Sequence, residues 1–243
     1  MIQYERQQHI LKILQSRGTA SVRELSAEVF ASEASVRRDI EALEQQGYVK
    51  RIYGGVMLSR HENSIIPLDL RDPEHSAVKE QLAQRAATLI PDGATVLLDA
   101  SSTTRRIVRH LSHRRDLRII TNNLRLLHEA QGLNAQLYGT GGAYNPSNHA
   151  FVGPAAEAYV RSVSADFFFF SSQGITEEGE ITDVSEEETS LRRVMLTRAR
   201  RRIFLCDSSK IGVRRVFTLC TKDDVDDVIC DIKLPWEDEK QQF

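Results

Sequence analysis

Val36, Ile40 and Leu43 recur at i, i+4 and i+7, and this short apolar stripe limits what the first part of the chain can become. So narrow a stripe is stable only against other helices. Ser32 stands where an N-cap is needed, so the spacing predicts a helix from Ser32 to Leu43, with Ser35, Arg37, Arg38 and Glu41 on or beside its outward side. Two helices upstream can cover it. From Gln3 to Arg17 the residues Ile10, Ile13 and Leu14 fall at helical spacing, Tyr4 extends the stripe, and Gly18 is placed to end it in a left-handed conformation. Ser21-Val22-Arg23-Glu24 has the form of a capping box, and Val22, Leu25 and Val29 follow it in a helix ending near Phe30.

A pair of cations near a helix N-terminus opposes the helix dipole, so helix stability gives no reason for Arg37-Arg38. A phosphate partner would, and the first turns are where a recognition helix meets base edges and phosphates. Two short β-prone runs around Gly54-Gly55 then read as a hairpin, on which Lys50 and Arg51 could touch phosphates. The alternative is a three-helix core with solvated arginines. Residues 1–60 carry nine Lys/Arg against seven Asp/Glu, leaving −4 for the remainder of a chain whose net charge is −2. That asymmetry has the sign a nucleic-acid contact requires.

At 243 residues the chain is long enough for two domains. Residues 59–73, with Pro67 and Pro73 and no sustained periodicity, read as a linker between a first domain over 1–58 and a second over 74–243. Cys206, Cys220 and Cys230 lack CxxC spacing and read as buried small hydrophobes rather than a disulfide framework or zinc finger. No apolar run approaches the roughly 18 residues of a membrane span, and the first six residues already carry charge, unlike a signal peptide. The expected compartment is the cytoplasm.

In the second domain a helix from Glu74 to Ile90 ends at Pro91-Asp92-Gly93. Strand-like runs then alternate with helical ones: Ala94–Leu98, Thr104–Leu111, Leu117–Thr121, Leu124–Ala130, Ala135–Tyr138 and Ala155–Val163. Phe167–Phe170, a long helix after Ser185, Ile203–Cys206 and Val228–Cys230 follow. This alternation implies a mostly parallel α/β sheet covered on both faces, with the four phenylalanines as a strand buried on both sides. In such sheets ligands sit beyond the carboxyl ends of the strands. The residues there are Asp99-Ala100-Ser101-Ser102-Thr103-Thr104, Asn122-Asn123, Gly139-Thr140-Gly141-Gly142 and Asp207-Ser208-Ser209-Lys210. Hydroxyls and amides at a helix start, glycines permitting close approach and a nearby lysine describe a phosphate cradle, and the carboxylates and amides suit sugar hydroxyls. Singly, such features are commonly N-caps and turns. The acidic run Glu177–Glu188 and the following Arg192, Arg193, Arg198 and Arg200–Arg202 suit a helix dipole and i,i+4 pairing, with Ser185 and Glu188 as a capping box. His110 and His113 have no third metal ligand.

Glu24-Leu25, Ser35-Val36-Arg37-Arg38-Asp39-Ile40, Leu43-Glu44, Gly47 and Tyr53-Gly54-Gly55 resemble the winged helix-turn-helix of the DeoR family of transcription regulators. Val36 and Ile40 stand where the family more often has isoleucine and leucine. The spacing leaves Asp39 either paired with an arginine or solvated. The order of the strand-end motifs over about residues 74–232 is similar to that family's sensor domain, whose Rossmann-like α/β fold resembles ribose-5-phosphate isomerase and the CoA-transferases. The resemblance implies DNA contacts at Ser35, Arg37, Arg38, Lys50, Arg51 and Tyr53. It implies a sugar-phosphate site at Asp99, Ser101, Ser102, Thr103, Thr104, Asn122, Gly141, Gly142, Asp207 and Lys210. Ser101 replaces a common glycine and places a hydroxyl near the expected phosphate. The implied protein is a DNA-binding repressor, a homodimer or homotetramer without cofactor, loosened from operator DNA by a phosphorylated sugar. A sugar-phosphate isomerase with a DNA-binding appendage is the alternative, with Asp99 or Asp207 as its general base.

Overall fold

The structure, a computed structural model, describes residues 2–45, 47–59, 68–234 and 236, and the chain divides into two units, Met1–Arg71 and Asp72–Phe243. In the first unit α1 (Gln3–Arg17) ends where Gly18, at φ 81°, donates its amide to the Leu14 carbonyl at 2.8 Å. β1 (Thr19–Ala20) leads into α2 (Val22–Glu28). The expected capping box is formed both ways: Glu24 N donates to Ser21 Oγ at 3.2 Å, and Ser21 N donates to Glu24 Oε2 at 2.7 Å. α2 stops before Phe30, which turns the chain at φ 50°. In α3 (Glu33–Gln45), Val36, Ile40 and Leu43 are buried in one core with Ile10, Leu14 and Leu25, as the spacing requires.

β2 (Val49–Ile52) and β3 (Gly55–Leu58) form the antiparallel hairpin, with Tyr53-Gly54 at its turn. β1 pairs with β3 as a third strand, too short for any periodicity to reveal. Gly55 permits this, since a Cβ there would lie 2.6 Å from the Ala20 carbonyl oxygen. Asp39 is paired, not solvated. Its side chain is wholly buried, and Arg6 of α1 donates to it from Nε at 2.5 Å and from a terminal nitrogen at 3.2 Å. This bidentate pair joins α1 to α3. Of the expected linker, residues 60–67 lie outside the described residues, and Leu68–Arg71 is one helical turn, α4, with Leu68 buried.

The second unit runs α5 (Ser76–Thr88), β4 (Thr95–Leu98), a 3-10 helix at Thr104–His110, β5 (Leu117–Thr121), α6 (Leu124–Glu129) and β6 (Ala135–Gly139). A hairpin of β7 (Ala143–Asn145) and β8 (Ala150–Val152) follows, then α7 (Pro154–Arg161) and β9 (Ala165–Phe170). β10 (Gly174–Ile175), β11 (Glu180–Asp183), α8 (Glu186–Arg198), β12 (Ala199–Cys206), β13 (Phe217–Thr221) and β14 (Asp227–Cys230) complete it. Six of these strands make a parallel sheet in the order β14-β12-β9-β4-β5-β6.

α5, the 3-10 helix and α6 cover one face of the sheet, and α7 and α8 the other. β9 shows why the phenylalanine run suits its place: Phe169 enters the first core, Phe168 and Phe170 the second, and only Phe167 is half-buried. The small antiparallel sheet β10-β11-β13 and the β7–β8 hairpin were not legible in the alternation of long apolar runs. The stretch read as a helix from Thr104 is 3-10 rather than α. Cys206, Cys220 and Cys230 are free and buried, and burial pushes the Cys220 thiol up to about 12.

Replacing Asp39 with alanine leaves Arg6 without its carboxylate and opens the joint between α1 and α3. Asp39→Ala is expected to lower the stability of the first unit by about 3 kcal/mol, read by urea unfolding of the full chain. A loss below roughly 0.5 kcal/mol would show that the pair does not hold the helices.

Candidate functional site

In the first unit α3 presents Arg37 and Arg38 to solvent. Arg37 is held by Glu33 one turn earlier, at 2.8 Å, whereas among the described residues Arg38 reaches only the Ser35 hydroxyl, at 3.4 Å. Ser35 itself shares a 3.0 Å hydroxyl contact with Ser32. On the hairpin Lys50 is exposed, Arg51 pairs with Glu44 at 3.1 Å, and Tyr53 stands fully exposed at the turn. All six expected contact residues therefore belong to one helix and the adjoining hairpin.

In the second unit the carboxyl ends of the parallel strands gather the other expected residues. The Asp99 carboxylate is the centre of the loop after β4. Its Oδ1 accepts from Ser101 N at 3.2 Å and from the Thr104 hydroxyl at 2.6 Å. Its Oδ2 accepts from Arg192 Nε at 2.8 Å and from Ser171 N at 3.4 Å. Four donors use the acceptor capacity of a carboxylate, so Asp99 shapes the loop and has nothing left for a sugar hydroxyl. Ser101 is spent in the same way: its hydroxyl accepts from Thr104 N at 3.1 Å and meets the Thr104 hydroxyl at 2.8 Å. The expected extra hydroxyl toward a phosphate is turned inward as a cap. What the loop leaves available is Ser102 and Thr103, both buried. The Thr103 hydroxyl has no hydrogen-bond partner among the described residues.

Lys210 stands in the loop after β12. Its ammonium donates to the Ser171 hydroxyl at 2.9 Å and lies 3.2 Å from Asp207. Burial opposes ionisation of Asp207, but Lys210, the Ser209 hydroxyl and the buried Lys79 of α5 more than offset it and hold its carboxyl below the usual range. Asn122, after β5, donates to the Phe151 carbonyl of the β7–β8 hairpin at 3.0 Å, and its buried Oδ1 has no partner among the described residues. Gly141 and Gly142 take φ of 63° and 110°, and a Cβ on Gly142 would come within 2.6 Å of the Val152 carbonyl oxygen. Asn122 and the glycines thus stand at the same end of the sheet, on neighbouring strands, tied to the hairpin and not to Asp99 or Lys210.

Arg192 forms the expected i,i+4 pair, with Glu188, but it does so in the interior and with two further acids. Its guanidinium is buried and bonds three carboxylates at once: Asp99 at 2.8 Å, Asp183 at 2.8 Å and Glu188 at 2.9 Å. Burial opposes its charge, but Asp183, Asp99 and Glu188 outweigh burial and keep its pKa raised. Glu188 also accepts from Asn148 of the hairpin loop, so the expected capping box is only half formed: Ser185 Oγ accepts from Glu188 N at 3.3 Å, while the Glu188 carboxylate faces Arg192. Four other basic residues of that run are also used internally, Arg193 and Arg198 on backbone carbonyls, Arg201 on Asp227 and Arg202 on Asp226, while Arg200 is exposed. His110 pairs with Glu80 at 2.8 Å.

Sequence reasoning missed Arg192, Asp183, Glu188, Asn148, Ser171 and Lys79. Two signals existed: Ser171 follows a strand in the sheet, and Lys79 sits on the same helical stripe as Leu82 and Ala83.

The chain matches the family model for the DeoR C terminal sensor domain over residues 74–232 and that for the DeoR-like helix-turn-helix domain over residues 6–62. It is 31% identical over 235 residues to the HTH-type transcriptional regulator GolR of Listeria innocua, covering 96% of this chain and 92% of that protein. It is 30% identical over 236 residues to the putative aga operon transcriptional repressor of Escherichia coli O157:H7, covering 95% and 87%. Among solved structures it aligns with ribose 5-phosphate isomerase A from Methanocaldococcus jannaschii at a TM-score of 0.43 and 16% identity, over 57% of this chain and 55% of that one.

Arg192→Met removes one cation from three buried carboxylates and is expected to cost about 3 to 5 kcal/mol of stability at pH 7. Chemical unfolding curves of the variant and the wild type measure that deficit. The folded pKa of Asp207 is depressed, so its stabilisation is present above the unfolded value of about 3.9 and is lost as pH falls through the folded one. Lys210→Met should therefore cost roughly 1 kcal/mol at pH 7, and the gap to wild type should start to narrow below about pH 4 and go on narrowing as pH falls. A gap as wide at pH 3 as at pH 7 would show that the two side chains are not coupled.

Proposed function

The chain belongs to the DeoR family of helix-turn-helix transcription regulators, and from that premise we propose that it represses a sugar-catabolic operon until a phosphorylated sugar occupies the second unit. The observation that carries the effector reading is the set of buried, unspent polar groups at the carboxyl ends of the parallel strands. These are Ser102 and, without partners among the described residues, the Thr103 hydroxyl and Asn122 Oδ1, with the Lys210 ammonium after β12 at the same end of the sheet. Burying polar atoms without partners is costly, and a ligand that supplies them repays it. Ser102, Thr103 and Lys210 take the phosphate; Asn122 and the open backbone at Gly141-Gly142 take sugar hydroxyls. Asp99, Ser101, Thr104 and Arg192 shape the loop around it, and Asp207 orients Lys210.

For a ligand to alter DNA affinity it must bind two states of the protein differently, and a coupling of about 1 to 3 kcal/mol shifts operator affinity roughly 5- to 150-fold. The effector loop continues into the 3-10 helix, whose Arg105 and Arg106 both grip Asp72, the residue at which the second unit begins. Arg106 also donates to the Asp72 backbone carbonyl at 2.8 Å. A shift of the loop on binding is in this way passed to the segment that leads to the DNA-binding unit. One chain carries one recognition helix. Specific binding then calls for a homodimer or homotetramer presenting two such helices about 34 to 36 Å apart on one face of operator DNA.

The isomerase reading needs a free general base. Asp99 is saturated by four donors, and Asp207, held below the usual carboxyl range, is a weak base near neutral pH. We therefore read the site as one that binds without turnover. No helix among the described residues is long and apolar enough to cross a membrane, and the cytoplasm is the compartment proposed.

A panel of pentose and hexose phosphates tested by thermal shift on the full chain should contain one that stabilises it by about 2.7 kcal/mol at a hundredfold excess over Kd. The same compound should release the protein from DNA. Lys210→Ala should abolish that release while DNA affinity stays within about twofold of wild type, measured by fluorescence anisotropy. Release that persists in the variant would remove Lys210 from the effector site, and turnover of any panel member would restore the enzyme reading.

A further inference from the structure

The basic residues of the first unit are not equivalent. A concave groove runs between the start of α2, α3 and the hairpin, and its walls include Arg23, Arg37, Arg51, Glu33 and Gly54. Three guanidinium groups against one carboxylate leave that groove cationic. Arg37 and Arg51 are each already steadied by a carboxylate, Glu33 at 2.8 Å and Glu44 at 3.1 Å. Arg23 is exposed and makes no ion pair among the described residues, and nothing in the helix spacing had singled it out. Arg38 follows Arg37 in α3, about 100° further round the helix, and does not line the groove; among the described residues its side chain bonds only Ser35, at 3.4 Å.

We propose that this groove seats one strand of the DNA phosphodiester backbone, clasped between Arg23 on α2 and Arg37 on α3, and that Arg38 alone of the three reads base edges. The inference rests on the regulator reading above and divides labour within it. Exposed ion pairs such as Arg37–Glu33 are weak, so a phosphate can replace Glu33 as the partner of Arg37 at little cost. Arg23 needs no such exchange, because its guanidinium makes no ion pair among the described residues and lines the same groove from a different helix. Planar guanidinium groups from two helices suit the two free oxygens of a phosphodiester. Phosphate contacts fix register without carrying sequence information, whereas a guanidinium off the groove and free of acid is the one able to enter the major groove and meet guanine.

The experiment uses the full-length chain with two duplexes, one selected from a random pool by the wild-type protein and one with the same composition scrambled. Affinity for each is measured between about 50 and about 200 mM KCl. Arg23→Gln should weaken both duplexes by the same factor and lower the slope of log affinity against log salt by about 0.9, the contribution of one phosphate. Arg23→Lys should restore the slope, which a merely structural role for the guanidinium would not produce. Arg38→Ala should lower affinity for the selected duplex by about 5- to 150-fold, with little change on the scrambled one. An unchanged slope in Arg23→Gln, or a loss confined to the selected duplex, overturns the assignment of Arg23. Loss of discrimination on Arg37→Ala but not on Arg38→Ala would overturn the division between the two. A wild-type chain that selects no duplex at all would sink the regulator reading itself, an outcome distinct from either.

Discussion

The second unit is organised around the buried guanidinium of Arg192. Three carboxylates from three different elements converge on it: Asp99 from the loop after β4, Asp183 from the end of β11, and Glu188 from the first turn of α8. A cation with five donors in one plane can satisfy several acceptors at once only if those acceptors are brought to fixed positions around it. The loop, the small antiparallel sheet and α8 are therefore positioned against one another by a single side chain. Asp99, held on that side, can turn its other oxygen to Ser101 and Thr104, and this closes the loop whose next residues are left facing the candidate ligand. The ordering of the proposed effector site is thus a consequence of a charge cluster behind it.

The first unit uses the same device on a smaller scale. Asp39 is buried on the functional helix itself, and Arg6 holds it from α1. Burying a charge in this way is tolerable only with an excellent partner, and the gain lies in a fixed helix orientation more than in net stability. Once α3 is pinned on that side, Arg37 and Arg38 cannot both face the same way, and their different partners follow from the helix geometry. In both units one buried ion pair or cluster sets the geometry, and the residues proposed to meet the ligand stand on the far side of it.

Much of this was readable from residue spacing. The stripe Val36, Ile40, Leu43, the capping box at Ser21 and the hairpin around Gly54 are short-range features, and each appears where local rules place it. The parallel sheet was equally legible, because strands buried on both faces are continuously apolar, as Phe167–Phe170 shows. The β10, β11 and β13 strands were not, being two to five residues long and paired across gaps of up to about forty residues. The roles within the candidate site were read less well than its location. Asp99 and Ser101 fit a ligand-facing description as types of residue, yet their oxygens are consumed by Thr104, Ser171 and Arg192.

What the sequence determined by itself is the inventory and its local order: three short helices and a hairpin with an arginine pair, then strands and helices whose carboxyl-end loops carry hydroxyls, amides, glycines and a lysine. Those follow from periodicity and capping, which act over a few residues. Only the tertiary structure decided which of these groups remain free. Arg192 lies 93 positions from Asp99 in the chain, and Lys210 lies 39 from Ser171. No local pattern records such pairings. Whether a side chain faces a ligand or is spent on its neighbours depends on how many donors and acceptors reach it, and that count exists only once distant segments share the same buried volume.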